Sequence, residues 1–311
     1  MLKNREINHR TNLNIVKPQL CLGSAQFGLS YGITNNEGQV REEVVCNLLK
    51  KAKESGFTWL DTAQAYGNAE SVLGRQLDRK HGYNLISKLA KQEKNDFNKK
   101  DAETWEKGFF DSCKRLGVER LHSLLLHSPG DLRKPGSKYL ENWLISLRDR
   151  GLVERIGVSI YSSEDIKGIN PDLTDMVQLP LSLYDQRLLR DQTISRLRSM
   201  GTKIHARSVY MQGLLLTQPE GWPDWVSVEV RNHHHALNLL AEEKGCDLID
   251  LALGFIREQE DVEAVTLGLC TEDELSSLKE TWDRYSPWEK DEWRHWALQD
   301  TSILDPRLWP E

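Results

Sequence analysis

The sequence predicts an α/β chain folded as one closed (β/α)8 barrel, a single domain followed by a helical, tryptophan-rich C-terminal tail. Three observations carry this. An amphipathic segment, a glycine and a short apolar run recur in that order along the chain. Eight such runs alternate strictly with helical stretches, which implies a parallel sheet, and eight of them imply closure. A length of 311 residues suits one barrel of this kind.

The first strand is expected over residues 19–25. Val44, Val45, Leu48, Leu49 and Ala52 then repeat at three-and-four spacing, the mark of a helix face, and stop at Gly56. Residues 57–61 and 83–88 form the next two strands. Trp105, Phe109, Phe110 and Leu116 form a second helix face, closed by Gly117 and followed by a strand over 121–127. A third unit runs from Tyr139 through Leu147 to Gly151, then a strand over 156–159. Strand six is expected over 176–179. A fourth unit, Ile194, Leu197, Met200 and Gly201, leads into 203–207, and strand eight covers 263–268. Glycine just past a helix supplies a left-handed backbone that a Cβ penalises. An open doubly wound sheet is the competing fold, but residues 23–28 lack the glycine spacing of its phosphate turn.

A helix follows over 271–282. The expected organisation is a polar N-terminal extension over 1–17, the barrel over 18–283, and the tail over 284–311. Five of the ten tryptophans (Trp282, Trp288, Trp293, Trp296 and Trp309) fall at this end. Either they pack the last helix against the barrel, or part of the tail crosses the barrel mouth and lends aromatic surface to a pocket.

Composition narrows the function. Lys and Arg total 41 against 47 Asp and Glu, a net charge of −6. Binding a nucleic acid needs a clustered basic face, which this balance opposes. No apolar run approaches the roughly 18 residues of a membrane span. The polar start is not a secretory signal. Cys21, Cys46, Cys113, Cys246 and Cys270 are odd in number and scattered, so a reducing, cytoplasmic setting is expected rather than a disulfide framework. His233, His234 and His235 are consecutive and so diverge on a helix; they are expected on a solvated face rather than around a metal.

In a closed barrel the site lies at the C-terminal ends of the strands. Strand two ends in Asp61, with Tyr66 in the following loop; strand three ends in Lys88 and strand four in His127. One such residue is ordinarily a turn residue or a satisfied core group, but three adjacent strands each deliver an ionisable side chain to one rim. A buried Lys88 beside Asp61 stays charged. The Lys88 cation is expected to lower the Tyr66 pKa from about 10, so that Tyr66 exchanges a proton with a developing alkoxide while His127 orients the same oxygen.

These residues resemble the aldo-keto reductases. The resemblance rests on Gly23-Ser24-Ala25-Gln26-Phe27-Gly28, on Leu60-Asp61-Thr62-Ala63-Gln64-Ala65-Tyr66-Gly67, on Ser87-Lys88 and on Leu126-His127-Ser128-Pro129, and it extends from about residue 20 to residue 278. It implies a TIM barrel that moves a hydride between a nicotinamide and a carbonyl/alcohol pair. The tetrad it implies is Asp61, Tyr66, Lys88 and His127. Tyr31, in the Tyr31-Gly32-Ile33 stretch, is implied to line the substrate pocket. Gln26 and Gln64 are expected beside it, a polar lining that suggests a hydroxylated, sugar-like carbonyl.

For the cofactor, the resemblance implies Ser159 and Gln178 at the nicotinamide carboxamide and Ser208 and Gly213 near the pyrophosphate. Arg207 stands where many members carry an aromatic ring, and a guanidinium can stack on a planar ring in its place. Glu272, Asp273 and Glu274 occupy the segment where NADP-using members carry basic residues, and they would repel a 2′-phosphate. The backbone amides from Gly268 to Thr271, at a helix start, would still attract one. Both NADPH and NADH stay open. Two other readings compete: a cofactor-binding regulatory protein of weak activity on the same barrel, and a metal-dependent lyase or hydrolase, which would lack carboxylate or histidine ligands. A small molecule is the expected partner, and the oligomeric state is left open.

Overall fold

The computed structural model describes residues 17–310 apart from 34, 36, 79 and 285. The expected N-terminal extension therefore lies outside the described residues except for Lys17. Eight parallel strands close into a barrel in chain order: β1 Gln19–Gly23, β2 Trp59–Asp61, β3 Asn84–Leu89, β4 Leu121–Leu126, β5 Val153–Ser159, β6 Met176–Pro180, β7 Lys203–Arg207 and β8 Ala264–Gly268. β1 pairs with both β2 and β8, which completes the ring. The expected units are all present. The helices Glu42–Glu54, Asp101–Leu116, Ser137–Asp149 and Thr193–Ser199 sit where the apolar spacing places them. Gly117 closes the second of these in the left-handed region, at φ +69°.

Side chains alternate across a strand, and this parity selects what faces the interior. Cys21, Trp59, Ile86, Leu125, Met176 and Ala264 form a small buried cluster of their own, separate from the larger core between strands and helices. Two residues further along each strand, the same parity leads to Gly23, Asp61, Lys88, His127, Gln178 and Thr266. Register keeps neighbours level, with Gly23 beside Asp61 and Ser159 beside Gln178. The floor is closed by Trp59, whose indole N–H donates to Gln19 at 2.9 Å while the rings of His122 and His205 stand nearly perpendicular to its own, with centroids 4.6 and 4.7 Å away.

The tail packs in part against the helices that follow β7 and in part against the loop after β5, where Arg307 lies over the Tyr161 ring. Trp288 donates to the Leu251 carbonyl at 2.8 Å and Trp293 to Glu258 at 2.9 Å, both on the face of the helix Leu248–Arg257 and its end. Trp309 lies against Trp225. The histidine run needs correction. It lies on the helix Val228–Lys244, and consecutive residues there are turned by about 100°. His235 faces solvent, but His234 is fully buried with Nδ1 2.8 Å from the Tyr184 hydroxyl, and His233 meets the Trp296 carbonyl at 3.1 Å.

Candidate active site

Lys88 is 1% exposed and Asp61 3%. The ammonium spends its three donors at the rim: on the Asp61 carboxylate at 2.6 and 2.8 Å, on the Thr62 carbonyl at 3.0 Å and on the Tyr66 hydroxyl at 3.3 Å. Burial alone would discharge Lys88, but Asp61 and the Tyr66 oxygen outweigh it and hold its pKa above the ordinary lysine value. The His127 ring stands at 85° to Tyr66, with centroids 5.8 Å apart. Burial, with Lys88 and Arg207 nearby, pushes the His127 pKa down to about 4, so the ring is neutral at neutral pH.

Tyr66 departs from expectation. Its pKa lies above the ordinary tyrosine value, because burial of the hydroxyl outweighs the pull of Lys88. The group is a protonated phenol at neutral pH, hydrogen-bonded to a cation.

One cavity of about 1480 Å³ opens on these groups, larger than the roughly 300–1,000 Å³ of ordinary ligand sites. Tyr66, His127 and Asp61 line it, as do Ser159, Arg207, Ser208, Gly213, Gly268 and Thr271, together with Gln26 and Tyr31. Gln26 lies so close over Gly268 that a Cβ there would come within 2.5 Å of its amide. Tyr31 stands at the rim of this wall, 38% exposed.

Three expected contacts are altered. Gln64 is not on the cavity wall: its carbonyl oxygen accepts from the Ala90 amide at 3.1 Å and its amide reaches the Gly108 carbonyl at 3.4 Å, so it ties the end of β3 to the helix Asp101–Leu116. Gln178 is fully buried behind the wall and donates to Asp61 at 2.8 Å, leaving its carbonyl oxygen without a protein partner. Of the amides from Gly268 to Thr271 expected to receive a phosphate, the last two are already taken, because the Glu274 carboxylate accepts from Cys270 at 2.6 Å and Thr271 at 3.4 Å in a capping box. Among the described residues, none beyond Leu278 lines this cavity, while Ile303, Leu304, Pro306 and Trp309 of the tail line a small neighbouring one together with Ser208 and Gln212.

Sequence reasoning missed Tyr161. It lines the cavity and lies 4.1 Å from the Arg207 guanidinium carbon. The signal was the parity of β5, which runs from Gly157 through Ser159 to Tyr161. At the other end of the cavity, Glu37, Glu272, Asp273 and Glu274 oppose Arg41 and Lys51, four carboxylates against two cations. Lys51 is itself paired with Glu272, which also accepts from Asn47 at 2.9 Å.

Comparison with known proteins places these observations. The model of the "Aldo/keto reductase family" matches residues 19–297. An aldo-keto reductase of Mycolicibacterium smegmatis is 30% identical over 139 residues, 42% of this chain and 45% of that protein. The methylglyoxal reductase of Escherichia coli is 28% identical over 151 residues, 46% of this chain and 52% of that protein. The chain thus spans about half the length of the curated relatives it matches. Among solved structures, an aldo-keto reductase from Bacillus halodurans in its holo form has a TM-score of 0.70 at 19% identity, covering 89% of this chain and 90% of that one. A glycerol dehydrogenase from Gluconobacter oxydans has a TM-score of 0.66 at 20% identity, covering 89% of each chain. At such identities these two describe the shared barrel.

Proposed function

The chain belongs to the aldo/keto reductase family, and from that membership we propose that it reduces the carbonyl of a small molecule to an alcohol, or runs the reverse, with a nicotinamide dinucleotide as hydride carrier. The observation that carries the reading is the chain of contacts from Asp61 through Lys88 to Tyr66, set on the wall of one large cavity beside a neutral His127.

The residues suit such a carrier at its reactive end. Ser159 offers a hydroxyl on the wall, and the buried Gln178 oxygen beside it lacks a partner. A bound dihydronicotinamide would supply a hydride to the carbonyl carbon. The protein's own part is the oxygen. The neutral His127 ring orients it, and Tyr66, held protonated by burial and hydrogen-bonded to Lys88, donates its proton as negative charge develops there. Lys88 stabilises the phenolate left behind, and Asp61 keeps Lys88 charged. In the reverse direction the same phenolate takes the alcohol proton.

The far end of the cavity supports NADH over NADPH. Four carboxylates face two cations there, and the Glu274 carboxylate occupies amides that would otherwise meet a phosphate. A 2′-phosphate dianion would enter a negative field. The polar side chains of Gln26 and Tyr31 on the wall favour a hydroxylated substrate. The intact proton-transfer set argues against a purely cofactor-binding regulatory role.

Replacing Tyr66 by Phe tests the assignment. Carbonyl reduction is expected to fall by about 10²–10⁴-fold, while the NADH Kd, read by tryptophan quenching, stays within about twofold. Undiminished turnover in that variant would remove Tyr66 as the acid. Failure of both nucleotides to bind below the millimolar range would remove the redox reading.

A further inference from the structure

Arg207 ends β7 on the cavity wall that Tyr66 and His127 share. Its guanidinium is held firmly: Nη2 donates to the Ile160 carbonyl at 2.9 Å, Nη1 to the Ser208 hydroxyl at 3.1 Å, and the Tyr161 ring centroid lies 4.1 Å away. Arg307, from the tail, lies 4.3 Å from the same ring centroid. Both hydrogen-bond partners of Arg207 are neutral oxygens. The neighbouring arginines have carboxylates, Arg187 with Asp185 at 2.7 Å and Arg307 with Asp305 at 2.6 Å. Among the described residues no carboxylate lies within 4.0 Å of Arg207. Of its five N–H donors, two are used and three are left for a ligand.

The charge at this end of the cavity is then uneven. Lys88 and Asp61 cancel, and Tyr66, Tyr31 and His127 are uncharged at neutral pH. Arg207 leaves one positive charge, partly desolvated and unpaired, in a protein whose net charge is negative. Such a charge is costly unless an anion meets it.

Resting on the reductase reading above, we infer that the substrate carries a carboxylate that Arg207 receives while its carbonyl lies against Tyr66 and His127: an oxo acid in reduction, a hydroxy acid in the reverse. A monoanion matches the single charge, and two coplanar oxygens match the guanidinium fork better than a phosphate dianion does. The redox step leaves the carboxylate unchanged. A hydride adds to the carbonyl carbon, a proton from Tyr66 adds to its oxygen, and the dihydronicotinamide is oxidised. Arg207 acts on recognition, and Tyr161 fixes its plane.

The test compares 4-oxobutanoate with its methyl ester on the wild type and on the Arg207→Gln and Arg207→Lys variants, with the NADH Kd measured for each. The wild type is expected to prefer the acid by about 100-fold in kcat/KM, mostly through KM. In Arg207→Gln the preference falls to within about threefold of parity, and Arg207→Lys, which keeps the charge without the fork, lies between. Calorimetric titration with butanoate, which undergoes no hydride chemistry, is expected to show binding about tenfold weaker in Arg207→Gln. Equal use of acid and ester by the wild type would overturn the inference. So would an Arg207→Gln variant that keeps the acid preference but loses NADH, which would make Arg207 a cofactor residue. If no carbonyl is reduced at all, the reductase reading fails on its own, and the butanoate titration still decides the anion site: weaker binding in Arg207→Gln upholds it, and equal binding overturns it.

Discussion

Within the tetrad, environment rather than residue type sets the protonation states. Tyr66 and His127 are both half-buried and both near Lys88, yet partial burial moves them in opposite directions, since it favours the neutral form of each. The phenol is kept protonated and the imidazole unprotonated, the forms that a proton donor and a neutral orienting group require. The pH dependence follows. His127 titrates at about 4, so kcat/KM for reduction should show no inflection between pH 6 and 8 and should fall only in alkaline solution, above the ordinary tyrosine range near about 10, as Tyr66 loses its proton. A step near pH 6.5 that disappears in a His127→Asn variant would mean that His127 is solvated and titrates normally. Asp61, Lys88 and His127 were legible in the sequence because each ends an apolar strand. The place of Gln64 was not, because nothing local shows that a helix carbonyl already claims its amide, and neither was the bond by which the Gln178 amide donates to Asp61.

The elements differ in how much of themselves they reveal. Strands and helices announced themselves through periods of two and of three to four, since each must bury one face. The helix Glu272–Asp283 showed its acidic start in the sequence but not its use: Glu274 turns back onto the Cys270 and Thr271 amides, which are also the groups best placed for a phosphate. Replacing Glu274 by Ala should free them. The expected result is a gap between NADPH and NADH affinities narrowed by about fivefold, at a cost of about 1 kcal/mol in stability from the lost cap. Fluorescence titration and urea unfolding of the variant measure the two effects, and an unchanged affinity ratio would show that the cap does not discriminate. The tryptophan-rich tail was ambiguous for a different reason. Which surface an aromatic residue covers depends on partners far away in the chain, here Leu251, Glu258 and Trp225.

For the molecule as a whole, the barrel holds several histidines, buried or half-buried, in their neutral form. His127 and His234 have pKa values pushed down to about 4 by burial, and His205 and His122 are lowered for the same reason. A folded-state value below the unfolded one means that the unfolded chain binds more protons in between. Stability is therefore complete above about pH 6.5 and is lost as pH falls toward 4, by roughly 2 kcal/mol at pH 5 for each of His127 and His234. Urea midpoints at pH 7 and pH 5 check this, and a flat profile would contradict the burial of these rings. Glu263, held down to about 2 against burial by His205 and Arg155, adds a second loss below about pH 4.5. No helix among the described residues is long and apolar enough to cross a membrane. The central claim is that this barrel passes a hydride to a carbonyl while Tyr66 protonates the oxygen. The most direct measurement mixes the protein with 4-deuterated NADH and 4-oxobutanoate or its methyl ester, then follows deuterium by mass spectrometry in the wild type and in Tyr66→Phe. The account predicts deuterium on the carbinol carbon with the wild type, and almost none with a variant that still binds NADH. Equal labelling by both proteins, or none by a wild type saturated with nucleotide, would contradict it.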